Sequence, residues 1–373
     1  MSNIPMVDLQ SQYQRIKSEV DAAFAEILST SYFVGGPVVK RFSEHLAAYL
    51  DAKHVVPCGN GTDALQIALM ALELQPGDEV ITTPFTFVAT AEVIALLGLK
   101  PVFVDVDPCT FCLNPYQLKR AITERSRCII PVHLFGQSCN MEDIMAIAAE
   151  HDLYVVEDNA QAIGSDYLFS DGRRQKTGTI GHIGCTSFFP SKNLGCYGDG
   201  GALFTNDDEL GAKIRMIANH GMKVRYYHDS VGVNSRLDAL QAAVLDIKLQ
   251  RLDEYGAARQ RAAAFYTEHL KGLPGVRPPR EASYSTHVYH QYTLVIQHKR
   301  DEISKALNEG GIATGIYYPV PLHLQKAYRS YGYQEGDFPV AEDLARKVLS
   351  LPMHTELTES VQSHIIETFT KAR

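Results

Sequence analysis

Apolar, strand-like runs recur along the first part of the chain, near residues 79 to 83, 102 to 106, 128 to 133, 153 to 157, 184 to 189 and 201 to 205. Most are separated by segments whose apolar residues follow helical spacing, such as Val88 to Leu97 and Met141 to His151. Short apolar runs alternating with amphipathic helices are the pattern of parallel strands joined by helical crossovers. The rhythm restricts the chain to the α/β class, with a mostly parallel central sheet covered by helices. At 373 residues, 45% of them hydrophobic, the chain can bury a large core and divide into two domains.

Beyond residue 165 the rhythm changes. Asp166 to Gly181 is polar and contains glycine, and Arg173-Arg174-Gln-Lys176 fits a solvated hairpin. A helical run from Leu237 to Leu252 leads out of the sheet, and Gly272-Leu-Pro-Gly-Val-Arg-Pro-Pro279 punctuates the C-terminal third. The spacing predicts a strand over Val288 to Ile296, a helix over Asp301 to Glu309 and another strand over Ile312 to Tyr318. The expected division is a large domain over residues 1–250 and a smaller α+β C-terminal domain over 251–373, with the N-terminal helix free to pack on the small domain.

In such sheets, ligands collect at the carboxyl ends of the strands. There an apolar run carries Lys192 into the glycine-rich turn Ser191-Lys-Asn-Leu-Gly-Cys-Tyr-Gly-Asp-Gly-Gly201. Burial disfavours an ammonium, so a lysine so placed is a nucleophile for an aldehyde, and the cofactor it suggests is pyridoxal 5'-phosphate (PLP). That cofactor needs three further things: an anion for its pyridine nitrogen, a cradle for its phosphate and a surface for its ring. Asp158 closes the run Tyr154-Val-Val-Glu-Asp158 and supplies the anion; alone it could equally be a helix cap. Gln161 lies near enough to meet the ring hydroxyl. Cys58-Gly-Asn-Gly61-Thr62 opens a helical run, where small residues and a helix N-terminus favour phosphate, and Ser187 adds a hydroxyl. Phe87, in the segment Pro84-Phe-Thr-Phe87, offers an aromatic face at another strand end.

Gly-Thr-Asp-Ala-Leu (61 to 65), Phe-Thr-Phe-Val-Ala-Thr (85 to 90), Glu-Asp-Asn-Ala-Gln (157 to 161), Ser-Phe-Phe-Pro-Ser-Lys-Asn (187 to 193) and Gly-Val-Asn-Ser-Arg-Leu-Asp (232 to 238) together resemble the DegT-type nucleotide-sugar aminotransferases, within the fold-type I PLP enzymes. The resemblance implies that Lys192 anchors the cofactor, Asp158 pairs with its ring nitrogen and Gln161 with its hydroxyl. It further implies that Gly61, Thr62 and Ser187 hold the phosphate and that Phe87 stacks on the ring. Asn234 matches a residue that reaches the phosphate of the neighbouring subunit, which implies a homodimer with shared sites. Glutamate is the amino donor this family implies, and a nucleotide-linked keto-sugar the acceptor. Segments at 231 to 238, 318 to 322 and 349 to 354 resemble the branch that aminates C3 of UDP-2-acetamido-2-deoxy-3-oxo-glucuronate for surface polysaccharide, such as lipopolysaccharide. Arg236 is the candidate fork for a carboxylate, or else a structural partner of Asp238. Tyr317, beside Tyr318 as a further substrate candidate, stands where that branch has histidine, which keeps dTDP-3-oxo-6-deoxyhexose 3-amination as the alternative.

The net charge of −8, with no basic stretch, speaks against a nucleic-acid surface, and no apolar run approaches the ~18 residues of a membrane span. Met1-Ser-Asn-Ile-Pro lacks the basic start and apolar core of a signal peptide, so a soluble cytoplasmic protein is expected. Among seven cysteines only Cys109 and Cys112 form a Cys-x-x-Cys pair; without a second pair no zinc site is expected, and they fit loop residues. Two other classes compete. A nicotinamide dehydrogenase fits poorly, because Gly59 and Gly61 are not followed by the third glycine of the dinucleotide fingerprint. A non-catalytic PLP-fold regulator would need a recognition module that the sequence does not display.

Overall fold

The computed structural model describes residues 3–373. Two helices open the chain, α1 (Leu9–Thr30) and α2 (Gly36–Leu50), and a first strand, β1 (His54–Cys58), leads into α3 (Gly61–Ala71). Next come β2 (Glu79–Thr82), α4 (Ala89–Leu96), β3 (Lys100–Phe103), α5 (Pro115–Ala121), β4 (Ser126–Ile129), α6 (Met141–Glu150) and β5 (Tyr154–Asp158). A hairpin of β6 (Asp166–Leu168) and β7 (Arg174–Lys176) precedes β8 (Ile183–Ser187), β9 (Gly201–Thr205) and α7 (Asp208–Ala218). A second hairpin, β10 (Met222–Val224) with β11 (Tyr227–His228), comes before α8 (Ala239–Leu249) and α9 (Leu252–Leu270).

The central sheet has seven strands in the order β1-β9-β8-β5-β4-β2-β3. Strands β3, β2, β4, β5 and β8 run parallel, while β9 is antiparallel to both β8 and β1. The strand-and-helix rhythm is therefore realised, and the chain is an α/β protein. Every residue of β2 and β9 is buried, as expected of strands covered on both faces. One strand, β1, is absent from the sequence-based expectation. Its Pro57 cannot donate to a ladder and breaks the apolar run, yet it is tolerated because β1 lies at the sheet edge.

One core layer packs α3 and α7 on the sheet through Leu65, Ile67, Leu69, Ile214 and Ile217; the opposite layer gathers Ile81, Ile129, Met141, Ile144 and Leu153. Each such side chain contributes about 1.5–3 kcal/mol by burial. Local signals set the helix ends: Asn60 caps α3 by accepting from the Asp63 amide at 2.8 Å, and Asp238 caps α8 through the Gln241 amide at 2.9 Å. Helix α1 lays Ile16 and Val20 on Val244 of α8, while Ile4, in the segment before it, hydrogen-bonds to Gly311.

The C-terminal part holds a three-stranded antiparallel sheet, β12 (Val276–Arg277), β13 (Tyr292–Ile296) and β14 (Val348–Leu351), with α10 (Arg300–Glu309), α11 (Pro339–Lys347) and α12 (Glu359–Ala372). Three expectations need correction. The stretch Ile312 to Tyr318 forms no strand; it bridges single residues only, Ile312 to Ile4 and Gly315 to Ser350, because its end turns its tyrosines into a cleft at the strand ends. The expected strand from Val288 begins at Tyr292, since residues 288–291 run against Gly136, where an added Cβ would meet the Tyr289 and His290 amides at 2.8 and 2.9 Å. The helix expected over Leu237 to Leu252 breaks at Gln250 and Arg251 into α8 and α9. The polar stretch from Asp166 is a hairpin as read, and Cys109 and Cys112 lie in the loop between β3 and α5. No helix among the described residues is long and apolar enough to cross a membrane.

Candidate active site

The carboxyl ends of β1, β2, β4, β5 and β8 open onto one cleft of about 670 Å³. It is lined by Gly61, Thr62, Phe87, Asp158, Gln161, Ser187 and Lys192, together with Tyr317 and Tyr318. Residues from separate stretches of the chain thus meet around one space: those between Gly61 and Lys192 sit at or just beyond strand ends, and Tyr317 and Tyr318 come from the irregular stretch after α10.

At one end, the N-terminus of α3 faces Ser187 at the end of β8. A Cβ on Gly61 would stand 2.6 Å from the Ser187 Cβ, so only glycine allows the loop to sit this close. The loop is braced from behind. The Gly59 amide donates to Ser235 Oγ at 2.8 Å, and that hydroxyl donates to Asp63 Oδ2 at 2.6 Å. Free amides at a helix start, with the hydroxyls of Thr62 and Ser187 alongside, make an anion cradle.

Across the cleft, Asp158 is 5% exposed, and burial pushes its carboxyl pKa up. Two donors oppose this, Thr90 Oγ1 at 2.8 Å and the Ala160 amide at 3.2 Å, so the cap role and the cleft position coexist. Among the described residues no cation sits within ion-pair distance of Asp158. A buried carboxylate with cleft on one side is matched by a ligand bearing a positive nitrogen. Behind it, His133 and Glu157 are both fully buried and 2.8 Å apart; the Cys139 amide donates to His133 Nδ1, so the proton on Nε2 faces Glu157.

Lys192 lies beyond β8 in a tight turn, its amide donating to the Phe189 carbonyl at 2.8 Å. Burial of its amine lowers the pKa to about 8, with the charge of Asp158 pulling the other way. The next turn is fixed by Lys248 of α8, which donates to the Gly195 carbonyl at 2.7 Å and lies over the Tyr197 ring. Gln161 is held at both ends: Oε1 accepts from the Phe135 amide at 2.8 Å and Nε2 donates to Tyr318 Oη at 3.1 Å. Phe87 stands 55% exposed at the mouth, its ring 6.2 Å from that of Tyr318.

Asn234 and Arg236 do not reach this cleft in their own chain. Both are exposed, and Arg236 makes no ion pair with Asp238, whose carboxylate caps α8 instead. Sequence reasoning missed Thr86, Thr90, Phe135 and His290, which line or support the cleft. Thr86 and Thr90 flank Phe87 in sequence, but nothing local marks their hydroxyls as anything other than helix-start residues.

These features fit pyridoxal phosphate: an anion cradle that a single Cβ would fill, a buried carboxylate with no cation within ion-pair distance among the described residues, and an amine of depressed pKa, all lining one cleft. The model of the DegT/DnrJ/EryC1/StrS aminotransferase family matches residues 14–370. The chain belongs to this family. Similar to this DegT-family member are a "pleiotropic regulatory protein" of Geobacillus stearothermophilus, 50% identical over 98% of this chain and 97% of that one, and the UDP-2-acetamido-2-deoxy-3-oxo-D-glucuronate aminotransferase of Pseudomonas aeruginosa, 46% identical over 95% and 96%. The solved structure of S. venezuelae DesV in complex with a ketimine intermediate superposes with a TM-score of 0.96, at 39% identity, covering 100% of this chain and 99% of that one. Other solved structures of this kind hold PMP or PLP, and PLP is the cofactor of this DegT-family enzyme.

Proposed function

We propose that the enzyme transfers the amino group of glutamate to C3 of a UDP-linked 3-oxo sugar, UDP-2-acetamido-2-deoxy-3-oxo-glucuronate, for surface polysaccharide. The observation that carries this reading is the meeting of the Lys192 amine and the buried Asp158 carboxylate in one cleft, beside an anion cradle, in a chain 46% identical to an aminotransferase of that substrate.

Bound PLP supplies a ring that withdraws electrons and holds the amino group between two half-reactions. The α3 N-terminus, Thr62 and Ser187 bind its phosphate. Asp158 keeps the ring nitrogen protonated by charge pairing. Gln161, already oriented by Phe135 and Tyr318, donates toward the ring hydroxyl, and Phe87 covers the ring face. Lys192 would anchor the cofactor, and its amine, neutral in part near neutral pH because burial lowers its pKa to about 8, would serve as the base that takes the proton from the α-carbon of glutamate. Tyr317 and Tyr318 line the part of the cleft left for the sugar.

The active enzyme in this proposal is a cytoplasmic homodimer in which each chain lends Asn234 and Arg236 to its partner's cleft. Supporting this, Val34 pairs with Asp238 on the same loop, and Tyr32, Phe33, Val34, Tyr226, Tyr227 and Val231 are all exposed. Apolar side chains left open in such number mark an association surface. We also propose that the chain divides near residue 250, with α9 leading into the smaller C-terminal domain.

Tyr317, which lines the cleft where the UDP-sugar branch would have histidine, keeps one second reading open, a dTDP-3-oxo-6-deoxyhexose as acceptor. One experiment separates the readings: purified holoenzyme, glutamate and either UDP- or dTDP-linked 3-oxo sugars, with the aminated product read by mass spectrometry. Amination of only the dTDP sugar selects the second reading. No amination, with no glutamate-dependent change in the cofactor spectrum, would leave a regulator such as the Geobacillus relative's name describes.

A further inference from the structure

Thr90, in the first turn of α4, is 0% exposed, and Thr86, in the loop before that helix, 2%. A threonine hydroxyl near a helix start commonly bonds to a nearby backbone group. Thr90 instead reaches across the sheet end to Asp158 Oδ2 at 2.8 Å, and Thr86 Oγ1 lies 3.3 Å from Thr90 Oγ1. The direction of these contacts comes from counting protons. With Asp158 ionised, as its proposed pairing with the ring nitrogen requires, the carboxylate only accepts, so the single hydroxyl proton of Thr90 goes to Asp158. Its remaining capacity is to accept, so the contact with Thr86 has Thr86 as donor. The result is a one-way chain from cleft-lining Thr86, through Thr90, to the carboxylate. The second link is long for O–H···O, so most of the effect rests on the first.

Asp158 needs this support. Its other donor among the described residues is the Ala160 amide at 3.2 Å, and burial alone favours the neutral carboxyl, which could not hold a proton on the ring nitrogen. The two donors also fix the plane of the carboxylate, one on each oxygen. We propose that Thr90 is a positioning residue of the reaction, whose hydroxyl keeps Asp158 ionised and aimed at the pyridine nitrogen, with Thr86 orienting Thr90. This rests on the role proposed for Asp158 as partner of the ring nitrogen.

The test is nitrogen NMR on holoenzyme reconstituted with PLP labelled with ¹⁵N in the ring, in wild type, Thr90→Val, Thr90→Ser and Asp158→Asn, alongside steady-state kinetics. Valine matches threonine in shape and lacks the hydroxyl. In Thr90→Val the ring-nitrogen signal is expected to move from the protonated toward the unprotonated position, as in Asp158→Asn but less far. The value of kcat should fall ~10- to 100-fold, the range for losing one hydrogen bond to a charged group, while KM for glutamate changes less than about twofold. Thr90→Ser should return both readouts. A wild-type signal and kcat in folded Thr90→Val overturn the proposal, as does a Thr90→Ser enzyme impaired equally, which would mean packing alone. Should Thr90→Val not fold, Thr90→Ala compared with Thr90→Ser gives the same contrast. An unprotonated ring nitrogen in the wild type itself overturns the Asp158 role, and is recognised because Asp158→Asn then changes nothing.

Discussion

Gly61 and Ser187 meet so closely that a Cβ on the glycine would lie 2.6 Å from the Cβ of the serine. The contact joins the start of α3 to the end of β8, two elements with no sequence proximity, and it sets the width of the anion cradle. Gly61 is needed here for its lack of a side chain, since its backbone is not in the left-handed region. In Gly61→Ala the two elements must part, at a cost of about 1–3 kcal/mol, so the Kd for PLP should rise roughly ten- to hundredfold with the fold retained. Equilibrium dialysis measures it; an unchanged Kd would show that the cradle lies elsewhere.

Lys192 should reveal its buried amine in the pH dependence of cofactor capture. Burial disfavours the ammonium and lowers its pKa from 10.5 to about 8, so the reactive neutral amine appears at lower pH than for an ordinary lysine. The rate at which apoenzyme captures PLP should rise with pH through a midpoint near 8. Stopped-flow absorbance tracks the reaction, and a midpoint near the ordinary lysine value would refute the assignment. Borohydride should fix PLP to the wild type and leave it removable from Lys192→Ala.

Arg236, exposed and with no ion pair among the described residues, is expected to act on substrate. Arg236→Ala should bind PLP as tightly as wild type while KM for a carboxylate-bearing substrate rises about tenfold or more, the loss of one charge-assisted contact. Kinetics with glutamate and with a uronate sugar varied in turn show which carboxylate it meets. Unchanged constants for both take Arg236 out of the site.

A shared site makes a distinct prediction for mixed chains. Lys192→Ala and Asn234→Asp should each be inactive, the second because an added carboxylate repels the phosphate. Mixed dimers place both lesions in one cleft and leave the other whole, so activity should return to about a quarter of wild type when equal amounts exchange at random. Exchange shown by native mass spectrometry with no return of activity, or an active monomeric wild type, removes the shared-site arrangement.

Features that depend on neighbours along the chain are legible in residue order alone. Apolar runs alternating with helical spacing yield the α/β class, and a strand such as Tyr154–Asp158 announces both its β-branched core and its acidic end. Lys192 in its glycine-rich turn, Asp158 and the Gly61-Thr62 helix start are legible in the same way, because a strand end and a helix cap are local events. Edge strand β1 is not, since Pro57 hides it and only its pairing with β9 makes it a strand. Nor is Ile312 to Tyr318, whose β-like composition gives way to the contact between Tyr318 and Gln161. The chain order also conceals which hydroxyl reaches Asp158: Thr90 is 68 residues away, and only the parallel order of β2, β4 and β5 brings it across. Periodicity specifies which face of an element is buried, whereas strand order and the packing of one element on another decide which polar groups then meet.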